Sequence, residues 1–257
     1  MNSIPLWKSH YSLGKSILNL EKPSDNLDVY PLSIFSILKK YGLDTLTLVE
    51  ENISGLLQAS KYAAENKIKL IYGLRISISE DVNNHVDDFN LKQAKYIIFC
   101  KNTDGYKDLI KIWSFAAKEG FYYYPSLDWK NLKRMWTDNL ILSVPFYDSF
   151  LHLNTLESHI HVPDFSFYRP IFFTEKNGLP FDYIIQNKVN VFCETNGLDV
   201  VSAQSIYYYS PNDFEAYLTF RCIHSRGGGK KTTCERPELN HMCSDEFNFL
   251  KWWNLNK

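Results

Sequence analysis

The stretch KYIIFCKNTDGYKDLIKIWSFAAKEGFYYYP, residues 95–125, decides the fold reading, because a strand, a turn and a helix follow one another within it. Tyr96 to Cys100 is a short apolar run of β-formers, as in a strand covered on both faces. Asn102, Thr103, Asp104 and Gly105 make the turn, and Thr103 or Asp104 is placed to accept hydrogen bonds from the first free N–H groups of a helix. Leu109, Ile110, Trp113, Ala116 and Ala117 recur at spacings of three and four, which puts them on one helical face. Gly120 ends that helix, and the aromatic run Phe121 to Tyr124 follows.

The same alternation extends in both directions. Upstream, the pattern predicts a helix over Pro31–Tyr41 stopped by Gly42, a strand at Asp44–Val49, a helix capped by Asn52 and running to Asn66, and extended chain over Ile68–Gly73 and Leu74–Ile78. Asp81 to Asn90 reads as a polar surface loop. Downstream, Leu140–Val144, part of Val162–Phe173, Val189–Cys193 and Ala203–Tyr209 read as strands. Ser210 opens a helix with Pro211 in its first turn. Strands alternating with helices imply parallel pairing with helical crossovers, as an open sheet or a closed barrel.

The chain has 257 residues, 45% hydrophobic and 22% charged, which suits a globular protein with a sizeable core. Its formal net charge of -1 excludes binding to nucleic acid by bulk phosphate neutralisation, so any DNA contact is expected to be local or indirect. Cys100, Cys193, Cys222, Cys234 and Cys243 are scattered and form no CxxC pair, which points to a reducing compartment. With no membrane-length apolar run and no signal-like N terminus, a cytoplasmic location is expected.

The run KNTDGYKDLIKIWSFAAKEGFYYYP resembles the segment of bacterial replicative (family C) DNA polymerase III alpha subunits that lies within their N-terminal PHP (polymerase and histidinol phosphatase) domain. The resemblance spans Tyr11 to Phe247 and implies the α/β fold of that superfamily, a distorted (β/α)7 barrel. It divides the chain into a barrel over residues 1–225 and a segment 226–257, made of the basic loop Arg226-Gly-Gly-Gly-Lys-Lys and a tail. Within the tail, SDEFNFLK resembles the junction through which the family polymerases enter the palm. The polymerase core with its catalytic aspartates is not expected in this chain.

Metal-bearing PHP domains resemble one another in placing His-x-His, Asp-His, Gly-x-Glu and Asp-x-His signatures at the C-terminal mouth of the barrel. Imidazoles and carboxylates suit that place because clustered divalent cations activate water and neutralise phosphate. The resemblance puts the His-x-His on Leu6 and Lys8, the acid after Tyr-Ser-Leu on Lys15, the Asp-His on Val49 and Glu50, the glutamate on Arg75, and the Asp-x-His on Ser205 and Tyr207. Of these vestigial positions only Glu50 keeps a ligand-type side chain, so no metal, cofactor or catalytic residue is expected. Lys8, Lys15 and Arg75 instead bring positive charge. They either replace the metal charge and compensate Glu50 or form an anion site for phosphate or a partner's carboxylate.

Other constellations carry less. His159-Ile160-His161 has no acidic companion and reads as surface histidines. His224, Cys234, His241 and Cys243 have no zinc-site spacing. Ser12, His10 and Asp28 make no nucleophile arrangement, and Gly227 to Gly229 precede no helix. The aromatic runs Phe121–Tyr124 and Tyr207–Tyr209 have rings that could stack on bases, though the resemblance assigns them to packing. Trp252 and Trp253 read as a partner-docking pair.

In the family this domain braces the polymerase thumb and, in several lineages, holds the proofreading exonuclease. The resemblance therefore implies a catalytically inactive replication protein, structural or regulatory, that binds a polymerase core, an exonuclease or another replisome subunit. The alternatives are a divergent PHP metal-dependent phosphoesterase or 3′-5′ exonuclease with a relocated metal site, and a phage-encoded mimic that captures host replisome subunits.

Overall fold

In the computed structural model, which describes residues 3–27, 30–83, 93–155, 160–225 and 244–257, seven strands close into a ring. In chain order the strands are β1 (Ile4–Trp7), β2 (Thr45–Glu50), β3 (Lys69–Ser79), β4 (Lys95–Cys100), β5 (Phe121–Tyr122), β6 (Tyr124–Asp128), β7 (Leu140–Val144), β8 (Ile171–Thr174) and β9 (Asp199–Ile206). The ring runs β2-β1-β9-β8-β7-β4-β3 and is closed by β2–β3 pairing. All its pairings are parallel except those of β4, which is antiparallel to β3 and β7. That single reversal distorts an otherwise regular PHP-type (β/α) barrel. The helices are α1 (Ile34–Tyr41), α2 (Leu56–Glu65), α3 (Thr103–Lys118), α4 (Trp129–Met135), α5 (Phe150–Thr155), α6 (Asp182–Asn196), α7 (Phe214–Ser225) and α8 (Phe249–Asn256).

Successive strand residues face opposite sides of the sheet, and here the two sides are two different cores. Leu6, Val49, Ile97, Phe99, Phe173 and Ala203 form a small apolar cluster inside the ring. Their strand neighbours Trp7, Leu48, Ile98, Phe172 and Ile206 belong to the larger core between strands and helices. Gly73 lacks a side chain where one would run into the rings and methyls of Phe99 and Ile97.

The quoted stretch folds as β4, turn and α3, with Asn102, rather than Thr103 or Asp104, as the N-cap; its side chain accepts from the Gly105 N–H. α1 starts on Ser33 and ends on Gly42 in the left-handed conformation. The helix expected from Asn52 begins at Leu56. Asn52 instead holds a turn, accepting from Ser54 N–H and donating to the Tyr11 carbonyl. The two expected runs around Gly73 are one continuous strand, β3. Val189–Cys193 is not a strand but part of α6, which buries Val189 and Cys193 and which its local β-propensity masks. Only Ile171–Thr174 of the region from Val162 is extended in a sheet. Ser210 caps a 3₁₀ turn, Pro211–Asp213, that leads into α7.

Residues 244–257 are not a separate tail. Phe247 and Phe249 lie in the main core, and α8 descends the outside of the ring to the N terminus. There the Trp252 indole donates to the Ser3 carbonyl at 2.9 Å, and Asn256 Oδ1 accepts from the Ser3 N–H at 2.7 Å. This corrects the docking role expected of the tryptophan pair. Trp252 is buried, and half-buried Trp253 packs on Tyr41 and Phe249, because the tail itself supplies the helix that covers that side.

Candidate functional site: a charge cluster at the barrel mouth

Continuing each inward-facing register by one or two residues carries the chain from the apolar layer into a polar one. Lys8 follows Leu6, Glu51 follows Val49, Arg75 follows Gly73, and Lys95 precedes Ile97 on the antiparallel strand. Glu51 is the hub. Its Oε1 accepts from Lys8 Nζ at 3.2 Å and Arg75 Nη1 at 2.9 Å, and its Oε2 from Lys95 Nζ at 2.5 Å. Arg75 Nη2 also donates to Asp148 Oδ2 at 2.7 Å and to the Tyr147 carbonyl at 3.0 Å. Burial alone would raise the Glu51 carboxyl, but Lys95, Lys8 and Arg75 together hold it well below the usual range.

A second network, of carboxyl, amide and hydroxyl groups, completes the rim. Glu175 accepts from the N–H and hydroxyl of Ser205, both at 2.9 Å, and from the Asn177 amide at 3.1 Å. The Tyr147 hydroxyl donates to Asp182 at 2.8 Å and accepts from Asn177 at 3.0 Å. Burial raises the Glu175 carboxyl.

Six of the eight positions singled out by resemblance, Leu6, Lys8, Val49, Arg75, Ser205 and Tyr207, line one cavity of about 20 Å³. That is room for a water molecule. Glu50 lies on the other face of β2. It is fully buried, accepting from the Ser9 N–H at 2.8 Å and from the Ser12 hydroxyl, and burial raises its carboxyl. Lys8 still pulls the Glu50 carboxyl down against that burial, but no basic side chain is hydrogen-bonded to it, because period two turns Glu50 out of the ring and Glu51 into it.

Lys15 stands apart from the hub and has no hydrogen-bonded acid among the described residues. Desolvation lowers its ammonium to about 8, against the pull of Glu51. Reductive ¹³C-methylation followed by NMR titration is expected to give a Lys15 midpoint about two units below the bulk lysines. A midpoint near 10.4 would show the amine to be solvated.

The residues present do not fit a divalent cation. A metal reaching Glu51 would have to displace two ammonium groups and a guanidinium, and among the described residues no three His, Cys, Asp or Glu side chains converge as a metal-holding group. His161 pairs with Glu80 on the surface at 3.0 Å, and His224 is exposed beside Gly14. His10 stacks on Tyr11. Asp28, His159, Cys234, His241, Cys243 and the basic loop from Arg226 lie outside the described residues. Tyr207 and Tyr208 are core residues and Tyr209 packs beside them, as expected, but Phe121 to Tyr124 are all exposed. No described helix is long and apolar enough to cross a membrane.

Comparison with known proteins matches the PHP domain profile to residues 31–186. The chain is 24% identical over 227 residues to the DNA polymerase III subunit alpha of Helicobacter pylori strain J99, covering 79% of this chain and 18% of that protein. The Borreliella burgdorferi subunit is 23% identical over 217 residues, covering 80% and 19%. The Thermus aquaticus subunit is 25% identical over 212 residues, covering 76% and 16%. The chain thus spans less than a fifth of the length of these relatives. A barrel of seven strands with one reversed, a mouth assembled from the strand ends, and a profile match across most of the chain agree on one conclusion: the chain belongs to the PHP domain family, in a form related to DNA polymerase III alpha subunits.

Proposed function

We propose that this PHP domain is a catalytically inactive, structural or regulatory protein of DNA replication in the cytoplasm, one that docks on a polymerase III-type core or a proofreading exonuclease. The observation that carries this reading is Glu51 bound by Lys8, Arg75 and Lys95. Three fixed cations stand around the carboxylate where a metal-dependent phosphoesterase needs open ligands. An internally neutralised mouth keeps the barrel folded without metal and leaves its outer surface for protein contacts.

The test has two parts. Protein purified without chelator is expected to carry substoichiometric manganese, zinc and iron, and to show no nuclease or phosphoesterase activity when these metals are added. Stoichiometric metal, with an activity abolished by Glu51→Ala or Glu50→Ala, would overturn the inactive reading in favour of the enzyme. Co-expression with a polymerase III-type core and with its exonuclease is expected to give a complex stable to gel filtration. Separate elution from both would remove the docking half of the proposal.

A further inference from the structure

The β5–β6 hairpin branches off the ring where β6 pairs with Ser77–Ser79 at the end of β3, which brings it to the outer edge of the sheet beside the mouth. Its four successive aromatic residues are exposed: Phe121 by 57%, Tyr122 by 48%, Tyr123 by 65% and Tyr124 by 43%. Rings of this size expose roughly 400 Å² in all, an apolar patch of the extent that marks a binding surface. Tyr123, at the tip, has φ 61. A bulky side chain is disfavoured in that left-handed conformation, which Gly or Asn would adopt without strain. Its ring meets that of Tyr122 edge-on, with centroids 4.6 Å apart, so two exposed rings are held together at the tip, where a ligand that stacks on rings can reach them.

The charges around the hairpin indicate the class of ligand. Between Thr103 and Trp136 there are six basic and four acidic residues, in a chain whose net charge is -1. Two of the acids are buried: Asp108 bonds Lys111 and Thr137, and Asp128 caps α4. Asp104 is taken by Lys107, and the fourth acid, Glu119, is exposed between Lys118 and the hairpin, which leaves Lys118, Lys130 and Arg134 against one exposed carboxylate. Lys118 at the end of α3 and Lys130 in the first turn of α4 are exposed and have no carboxylate partner among the described residues, and exposed Arg134 lies over the Phe115 ring. Aromatic faces flanked by unpaired cations suit bases and phosphates better than an apolar protein surface, which would leave the lysines unmatched.

We propose that the Phe121–Tyr124 hairpin, with Lys118 and Lys130 on the helices beside it, is a binding platform for single-stranded nucleic acid. Bases stack on the tyrosines, and a few phosphates meet the cations. This local footprint is consistent with a chain of near-zero net charge, and it goes beyond the reading of the mouth, on which it does not depend.

The test is fluorescence anisotropy with a labelled oligothymidylate of about 15 nucleotides. The full chain is expected to bind it, more tightly than a duplex of equal length. Tyr122→Ala and Tyr124→Ala are each expected to weaken binding by about tenfold or more. Lys118→Ala and Lys130→Ala should each lower the log–log salt slope by about 0.7. Tyr123→Gly relieves the backbone, so it should keep or raise the melting temperature while weakening binding, which separates a ligand role from a structural one. No anisotropy change at any attainable protein concentration would overturn the proposal, as would binding that survives the double tyrosine variant. Loss of polymerase co-elution in the tyrosine variants without oligonucleotide binding would also overturn it and make the hairpin a protein-docking face.

Discussion

Replacing Glu51 by glutamine is expected to destabilise the fold by about 3–5 kcal/mol, the range for removing one partner of a buried ion pair. The amide removes the charge and leaves buried Lys8 and Arg75 and partly exposed Lys95 facing one another in a layer only partly open to water, with Asp148 to balance Arg75. For a chain of this size that is a fall in melting temperature of roughly 10 °C. The pH dependence follows from the sign of the shift. The folded carboxyl titrates below its unfolded value of about 4.3, so its contribution is present above that pH and is lost as pH falls through the folded value. Denaturant titrations between pH 7 and pH 3 should show the wild type losing stability steeply below about pH 4 and Glu51→Gln losing much less there. The triple variant Lys8→Met, Glu51→Leu, Lys95→Met removes more groups and is expected to cost less than Glu51→Gln, because no charge is left without a partner. A Glu51→Gln protein as stable as the wild type would show that the cluster is hydrated.

The second large effect is expected at Gly120, which closes the turn from α3 into the aromatic hairpin. Its carbonyl accepts from the Ser126 N–H at 3.1 Å and from the Ser126 hydroxyl at 2.8 Å, so the two backbones are in contact. A Cβ on Gly120 would run into the Ser126 carbonyl oxygen, and into a Val82 methyl behind it. Backbone cannot rotate away as a side-chain end can, so Gly120→Ala should cost about 2–4 kcal/mol. It should also displace the hairpin from β3, which changes the near-ultraviolet circular dichroism of its tyrosines. By contrast, Gly42→Ala meets no atom but takes a left-handed φ of 64, and is expected to cost only about 1 kcal/mol. Equal stabilities for the two alanine variants would contradict the contact at Ser126.

The barrel was legible in the sequence because its strands are short, β-rich and separated by helices with ordinary caps and stops. Periodicity failed where tertiary packing overrides it. Val189–Cys193 reads as a strand until α6 is seen to bury Val189 and Cys193 on one face. The site was half legible. The resemblance selected positions that converge on one cavity, yet it stopped at Glu50, and only the parity of β2 shows that Glu51 is the inward carboxylate. Lys95 obeys the same parity and could have been read once β4 was known to run backwards. Asp148 and Glu175 lie beyond their strands, in loops where no period operates, and nothing local marks them. The tryptophans near the C terminus were misjudged for a related reason. Adjacent large rings in a tail look surplus until the helix carrying them is seen to cover bare strands.

That closing helix has a topological consequence. With Ser3 and Asn256 in direct contact, the start of β1 and the end of α8 meet on the floor of the barrel, at the pole opposite the charged rim. A tag, label or fused protein at either end would hang beneath the ring and leave both the rim and the tyrosine edge unobstructed. A short loop could join the two ends, turning the domain into a continuous circle that tolerates new openings elsewhere.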